Sequence, residues 1–114
     1  MCGINLCPAD RDISRMNEAI SHRGLPGRSG TWSNSVFSIG HVRLPILGLS
    51  DTYDQPFQSK GAVMAFAGEI FNFQNFDPYA LCDTPVLMKL YRESGPTALR
   101  YLDGFWSFIY YDRS

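Results

Sequence analysis

Apolar residues sit at alternate positions in Cys2-Gly3-Ile4-Asn5-Leu6, the pattern of a short strand, and Pro8-Ala9-Asp10 breaks it. From Asp12 to His22 the spacing changes: Ile13, Met16 and Ile20 fall at helical intervals, with Asp10 or Asp12 as the cap and Gly24 and Pro26 ending the run. Thr31-Trp32 and Val36 to His41 read as strands joined through Ser33-Asn34-Ser35. Arg43 to Leu49 is a looser apolar stretch interrupted by Pro45 and Gly48. Ala62 to Phe66 has strand length and ends in Ala67-Gly68-Glu69, and Phe71 to Leu81, rich in Asn, Asp and aromatics, reads as loop. Asp83-Thr84-Pro85 marks a helix start, with Thr84 as cap and Pro85 at the first helical position. Val86, Leu87, Leu90 and Tyr91 share a face of that helix, and Gly95-Pro96 stops it. A short helix from Thr97 to Tyr101 and a β-prone aromatic strand from Phe105 to Tyr111 follow. Strands in pairs with few βαβ units predict a mixed antiparallel α+β fold.

Composition narrows the class. The chain has 114 residues, enough for one domain, here residues 1–114, and its 45% hydrophobic content excludes a disordered or fibrous chain. Ten basic against eleven acidic residues give a net charge of -1, so no electrostatic nucleic-acid surface is expected. No apolar run reaches membrane-helix length, and the start MCGINLCPADRD is charged too early for a secretory signal, so a cytoplasmic protein is the expectation. The cysteines are Cys2, Cys7 and Cys82, an odd set without zinc-knuckle spacing, which predicts neither a disulfide framework nor a metal site.

Cys2 carries the candidate chemistry. A small residue in second position permits removal of Met1, which would place a free α-amine on the residue that bears the thiol. An α-amine titrates near about 8, so it can accept the thiol proton, and nucleophile and base then come from one residue. Alone, Met1-Cys2-Gly3 is equally the opening of a buried strand.

The rest of the chain weights that choice. Met1-Cys2-Gly3-Ile4, Ser21-His22-Arg23-Gly24 with Gly27, Gly40-His41-Val42-Arg43-Leu44, Gln55-Pro56, Gly68-Glu69-Ile70-Phe71-Asn72, Asp83-Thr84 and Leu102-Asp103-Gly104-Phe105 occur in one order. In that order they resemble the class II glutamine amidotransferase domain, the Ntn-type glutaminase at the front of asparagine synthetase. The resemblance implies an Ntn-hydrolase-like four-layer αββα sandwich. It implies hydrolysis of the glutamine side-chain amide to glutamate and ammonia through a γ-glutamyl thioester on Cys2, with no cofactor. It places the Gly68 N–H at the oxyanion, Arg43 on the substrate α-carboxylate, where a guanidinium fork fits, and Asp83 on the α-ammonium. Leu44, Ile46 and Leu47 would line the glutamine pocket and Glu69 would complete its floor. His41 and His22 are read as structural hydrogen-bonders, because this mechanism needs no histidine.

Three departures qualify the resemblance. Where the family has Asn-Gly-Glu-Ile-Tyr-Asn, with the first Asn as second oxyanion donor, this chain has Ala67, and losing one donor costs about 10²–10³ in turnover. The strand from Phe105 to Tyr111 is followed in the family by further strands and an Arg-Asp-x-x-Gly segment, so the resemblance implies a sandwich truncated at the C-terminus, its exposed edges covered by a completing chain, by a homodimer, or by rearrangement. No Gly-x4-Gly-Lys-Ser/Thr phosphate loop is present, so ammonia would pass to a synthetase on another chain. Glutamine is the expected small-molecule partner, with no nucleic acid and no membrane. The alternative is an inactive glutamine-binding or docking module.

Overall fold

The computed structural model describes residues 1–113. Strand β1 (Gly3–Pro8) is followed by helix α1 (Ile13–Ala19), strands β2 (Ser29–Ser33), β3 (Phe37–Val42), β4 (Phe57–Ser59) and β5 (Ala62–Ile70), helix α2 (Asp83–Ser94), and strand β6 (Gly104–Asp112). They form two antiparallel three-stranded sheets, ordered β1-β3-β2 and β4-β5-β6. The fold is therefore α+β.

β5 is apolar along most of its length because both its faces are covered. Ala62, Met64 and Phe66 face α2 and pack with Ile70, Val86, Leu87 and Met88. Val63 and Ala65 face the other sheet and meet Ile39, with Ile4, Trp32, Phe37 and Ile109 around them. Each large side chain buried here contributes about 1.5–3 kcal/mol. α1 lies on the outer face of the first sheet, where Gly40 leaves room: a Cβ there would fall 2.3 Å from Asn17 Oδ1 and 2.9 Å from Ile13 Cγ1. From α2, Tyr91 packs edge-on against Phe108 and Tyr110, with ring centroids 5.1 and 5.0 Å away.

Several local expectations are corrected. The first helix stops at Ala19, and Ser21–Arg23 is a separate 3-10 turn, because the Ile20 N–H closes onto Asn17 and Glu18 carbonyls. Asp12, not Asp10, caps that helix, accepting from the Arg15 N–H at 3.2 Å. Thr84 does not cap α2, which begins at Asp83. Both side chains that could cap it are drawn into tertiary bonds: Thr84 Oγ1 accepts from Gln55 Nε2 at 3.3 Å, and Asp83 Oδ2 accepts from the Ile70 N–H at 3.0 Å. β5 continues past Phe66 to Ile70. Gly95–Tyr101 is a 3-10 segment, and the loop after Phe71 holds a 3-10 turn at Phe73–Asn75.

Candidate active site

The start of β1, the end of β3 with the loop after it, the second half of β5, and the start of α2 converge on one pocket of about 120 Å³. Cys2, Arg43, Leu44, Ile46, Leu47, Gly68, Glu69 and Asp83 all line it. These residues are scattered over most of the sequence, and the fold brings them together. Ala67 is not in the lining. It precedes Gly68 on β5 and pairs with Ser107 of β6.

Cys2 is held at two points. Its Sγ accepts the Leu44 N–H at 3.2 Å and sits 3.6 Å from the Leu44 carbonyl, while Arg23 donates from Nε and Nη2 to the Cys2 carbonyl at 3.2 and 3.1 Å. Gly3 allows this approach, since a Cβ there would meet the Ile20 side chain at 2.5 Å. Met1 also lines the pocket, so the residue that masks the Cys2 amine stands in the site.

Arg43 is 3% exposed and spends its fork within the chain. Nη1 donates to the Ser50 carbonyl at 3.0 Å and to Asp54 Oδ1 at 2.8 Å; Nη2 donates to the Leu47 carbonyl at 2.9 Å and to the Gly48 carbonyl. The guanidinium thus gathers the loop that forms one wall of the pocket. Asp54 also takes Arg28 in a bidentate pair, with a closest contact of 2.6 Å. Burial alone would raise the Asp54 carboxyl pKa, but hydrogen bonds from Arg28 and Arg43, with their charges, outweigh it and hold it below the ordinary value.

Two acidic residues, Glu69 and Asp83, line the same pocket as Arg43. Asp83 is buried, and that burial pushes its pKa up, with the Ile70 N–H opposing and the Glu69 charge adding to the rise. Cys82 Sγ lies 3.8 Å from Asp83 Oδ1, and burial raises the Cys82 thiol as well. The backbone at Gly68 requires glycine: φ is +139°, and a Cβ would fall 2.1 Å from the Phe105 carbonyl oxygen.

His41 is fully buried between the sheets. Its Nε2 donates to the Phe66 carbonyl at 2.9 Å, and Nδ1 has no partner. Desolvation lowers its pKa to about 4, so it stays neutral in the fold. It does not line the pocket. His22 is exposed on its 3-10 turn and makes no side-chain hydrogen bond among the described residues.

Thr84, Phe66, Cys82 and Phe105 also line the pocket, and Asp54 holds Arg43 from outside that lining; the sequence singles out none of them as site residues. Gln55, prominent in the sequence only within its Gln-Pro pair, also lines the pocket; it accepts the Phe66 N–H at 2.6 Å and donates to Thr84 at 3.3 Å, tying β5 to α2.

A sequence profile described as a glutamine amidotransferase domain matches residues 1–114. The chain belongs to the glutamine amidotransferase domain family. A Methanocaldococcus jannaschii protein that carries the name of a glutamine-hydrolysing asparagine synthetase is 30% identical over 145 residues, covering 99% of this chain and 28% of its own length. The glutamine-hydrolysing asparagine synthetase of Brassica oleracea is 32% identical over 129 residues, covering 98% of this chain and 22% of its own length. Asparagine synthetase B (glutamine-hydrolysing) of Escherichia coli is 34% identical over 111 residues, covering 89% and 19%. This amidotransferase domain thus spans less than a third of the length of these curated relatives. Among the described residues no helix is long and apolar enough to cross a membrane.

Proposed function

We propose that the domain hydrolyses the side-chain amide of glutamine with Cys2 as an amino-terminal nucleophile. The observation that carries this reading is the single pocket lined by Cys2, Arg43, Glu69 and Asp83. One cation and two anions suit the charged α-carbon end of a free amino acid, and the thiol then meets its side chain. After Met1 is removed, the Cys2 amine takes the thiol proton and sulfur attacks the amide carbon. The Gly68 N–H stabilises the oxyanion, ammonia leaves with the proton, and water cleaves the γ-glutamyl thioester to glutamate. The substrate carboxylate exchanges for the Leu47 and Gly48 carbonyls on Arg43, and Asp83 with Glu69 takes the ammonium.

Ala67 offers no side-chain donor, so turnover is attenuated, and ammonia passes to a synthetase. The two sheets, with α1 outside one and α2 outside the other, support the Ntn-type αββα reading. A cytoplasmic setting belongs to the same proposal. Ala67 also favours a second reading, a domain that binds glutamine without hydrolysing it.

Intact mass and a glutaminase assay on one preparation test the proposal. The expected result is loss of Met1, covalent labelling of Cys2 by the glutamine analogue 6-diazo-5-oxonorleucine, and ammonia release that disappears in Cys2→Ala. Ammonia release unchanged in Cys2→Ala overturns it. Calorimetric glutamine binding without turnover selects the binding module.

A further inference from the structure

A second cavity of about 550 Å³ lies beyond Cys82, which among the described residues is the one side chain lining both it and the Cys2 pocket. Its volume falls within the range of about 300–1,000 Å³ typical of small-molecule sites. Phe57, Val86 and Leu90 give it an apolar floor continuous with the core. Tyr79 and Leu81 stand on its rim, 92% and 67% exposed, an unusual amount of apolar surface for one short loop.

The charged groups are unevenly disposed. Lys60, Lys89 and Arg92 line the cavity. Lys60 opens the tight turn from β4 to β5 with φ +50°, followed by Gly61 at φ +82°, a turn that suits the twist of a hairpin. Arg92 donates from Nη2 to the Ser59 carbonyl at 2.8 Å, which sets it beside that turn, and its Nε is buried without a partner. Lys60 and Lys89 make no hydrogen bond or ion pair among the described residues. Of the two carboxylates in the lining, Asp77 accepts the Tyr79 N–H at 3.1 Å, and Glu93 lies one helical turn beyond Lys89.

We propose that this cavity is a second ligand site, for an amphipathic anion whose flat apolar or aromatic body packs on Phe57, Val86 and Leu90 and whose carboxylate, sulfonate or phosphate is held by Lys60, Lys89 and Arg92. The site is independent of the glutaminase reading, because none of these residues lines the Cys2 pocket.

The test uses the full chain and two naphthalene probes, anionic 8-anilino-1-naphthalenesulfonate and neutral N-phenyl-1-naphthylamine. Saturable fluorescence with the anion is expected, weakened about tenfold in the double variant Lys60→Glu/Lys89→Glu, while the neutral probe changes less than about twofold. Both lysines are exposed, so the variant keeps the fold. Methyl NMR locates the probe: shifts at Val86 and Leu90, with Ile46 and Leu44 still, are expected. No saturable binding, an anion Kd unchanged within about twofold in the double variant, or shifts centred on Ile46 and Leu44 would overturn the proposal.

Discussion

Arg43 and Asp54 form an ion pair at 2.8 Å in which the arginine is buried and the carboxylate is a third exposed. Asp54 also holds Arg28, so one carboxylate bridges two guanidinium groups and fixes the loop that carries Leu44 to Ser50. Asp54→Asn leaves Arg43 buried without its counter-charge. A loss of about 2 kcal/mol in urea unfolding at pH 7 is expected, tempered by the exposure of the carboxylate. Because the folded-state pKa of Asp54 lies below its unfolded value, the pair's contribution is complete above about pH 4 and fades as pH falls through the folded value. The stability gap between wild type and Asp54→Asn should therefore narrow as pH falls below about 4, as measured by chemical denaturation across pH.

His41 acts in a different window and with the opposite charge. Its pKa of about 4 in the fold lies below the ordinary 6.5, so the unfolded chain binds a proton that the folded chain refuses. Stability is unaffected above about pH 6.5 and declines as pH falls from there to about 4, by on the order of 3 kcal/mol, with no further loss below. NMR titration of the His41 ring should show a midpoint near 4, well below the ordinary 6.5. Denaturation curves of His41→Gln should lose the slope between those two pH values.

Gly68→Ala tests the backbone beneath the proposed oxyanion donor. The added Cβ meets the Phe105 carbonyl at 2.1 Å in a conformation that L side chains rarely adopt. Thermal unfolding should fall by the equivalent of about 2–4 kcal/mol, with loss of the β5–β6 hydrogen bonds in amide exchange around Trp106.

Ala67→Asn addresses the missing donor. If the proposed oxyanion site is built like those of donors that act only in the transition state, kcat for glutamine should rise by about 100-fold while KM changes little. An unchanged kcat would show that Ala67 is not what limits the rate.

The legible parts of the molecule are those where periodicity and chemistry agree. The existence of β3, β5, β6 and α2 is legible from alternating, apolar or helical spacing, and short motifs point to Cys2, Arg43, Gly68, Glu69 and Asp83, which the fold brings into one pocket lining. β4 was not legible: Phe57-Gln58-Ser59 is too short to show a period, and it is a strand because β5 offers it an edge. The apolar run marks β5 only as far as Phe66, yet the strand continues to Ile70, and Gly68 keeps the ladder going by letting the Phe105 carbonyl approach. The α2 cap failed for a similar reason, since Gln55 and Ile70 claim the two side chains that local rules assign to the helix end. Asp54 gave no signal, because an acid eleven positions after an arginine in an irregular loop has no period to betray it.

The double hold on Cys2 has a practical side. Chain ends commonly fray, but here Arg23 grips the carbonyl of the second residue and Leu44 its sulfur, so the beginning of the polypeptide is a fixed post at the mouth of a pocket. Met1 already stands in that mouth beside Ile46 and Phe105. An affinity tag added ahead of Met1 would be threaded through the same opening, crowding out small molecules and keeping the Cys2 nitrogen in an amide. Preparations meant for activity or ligand work should carry their tags at the other end.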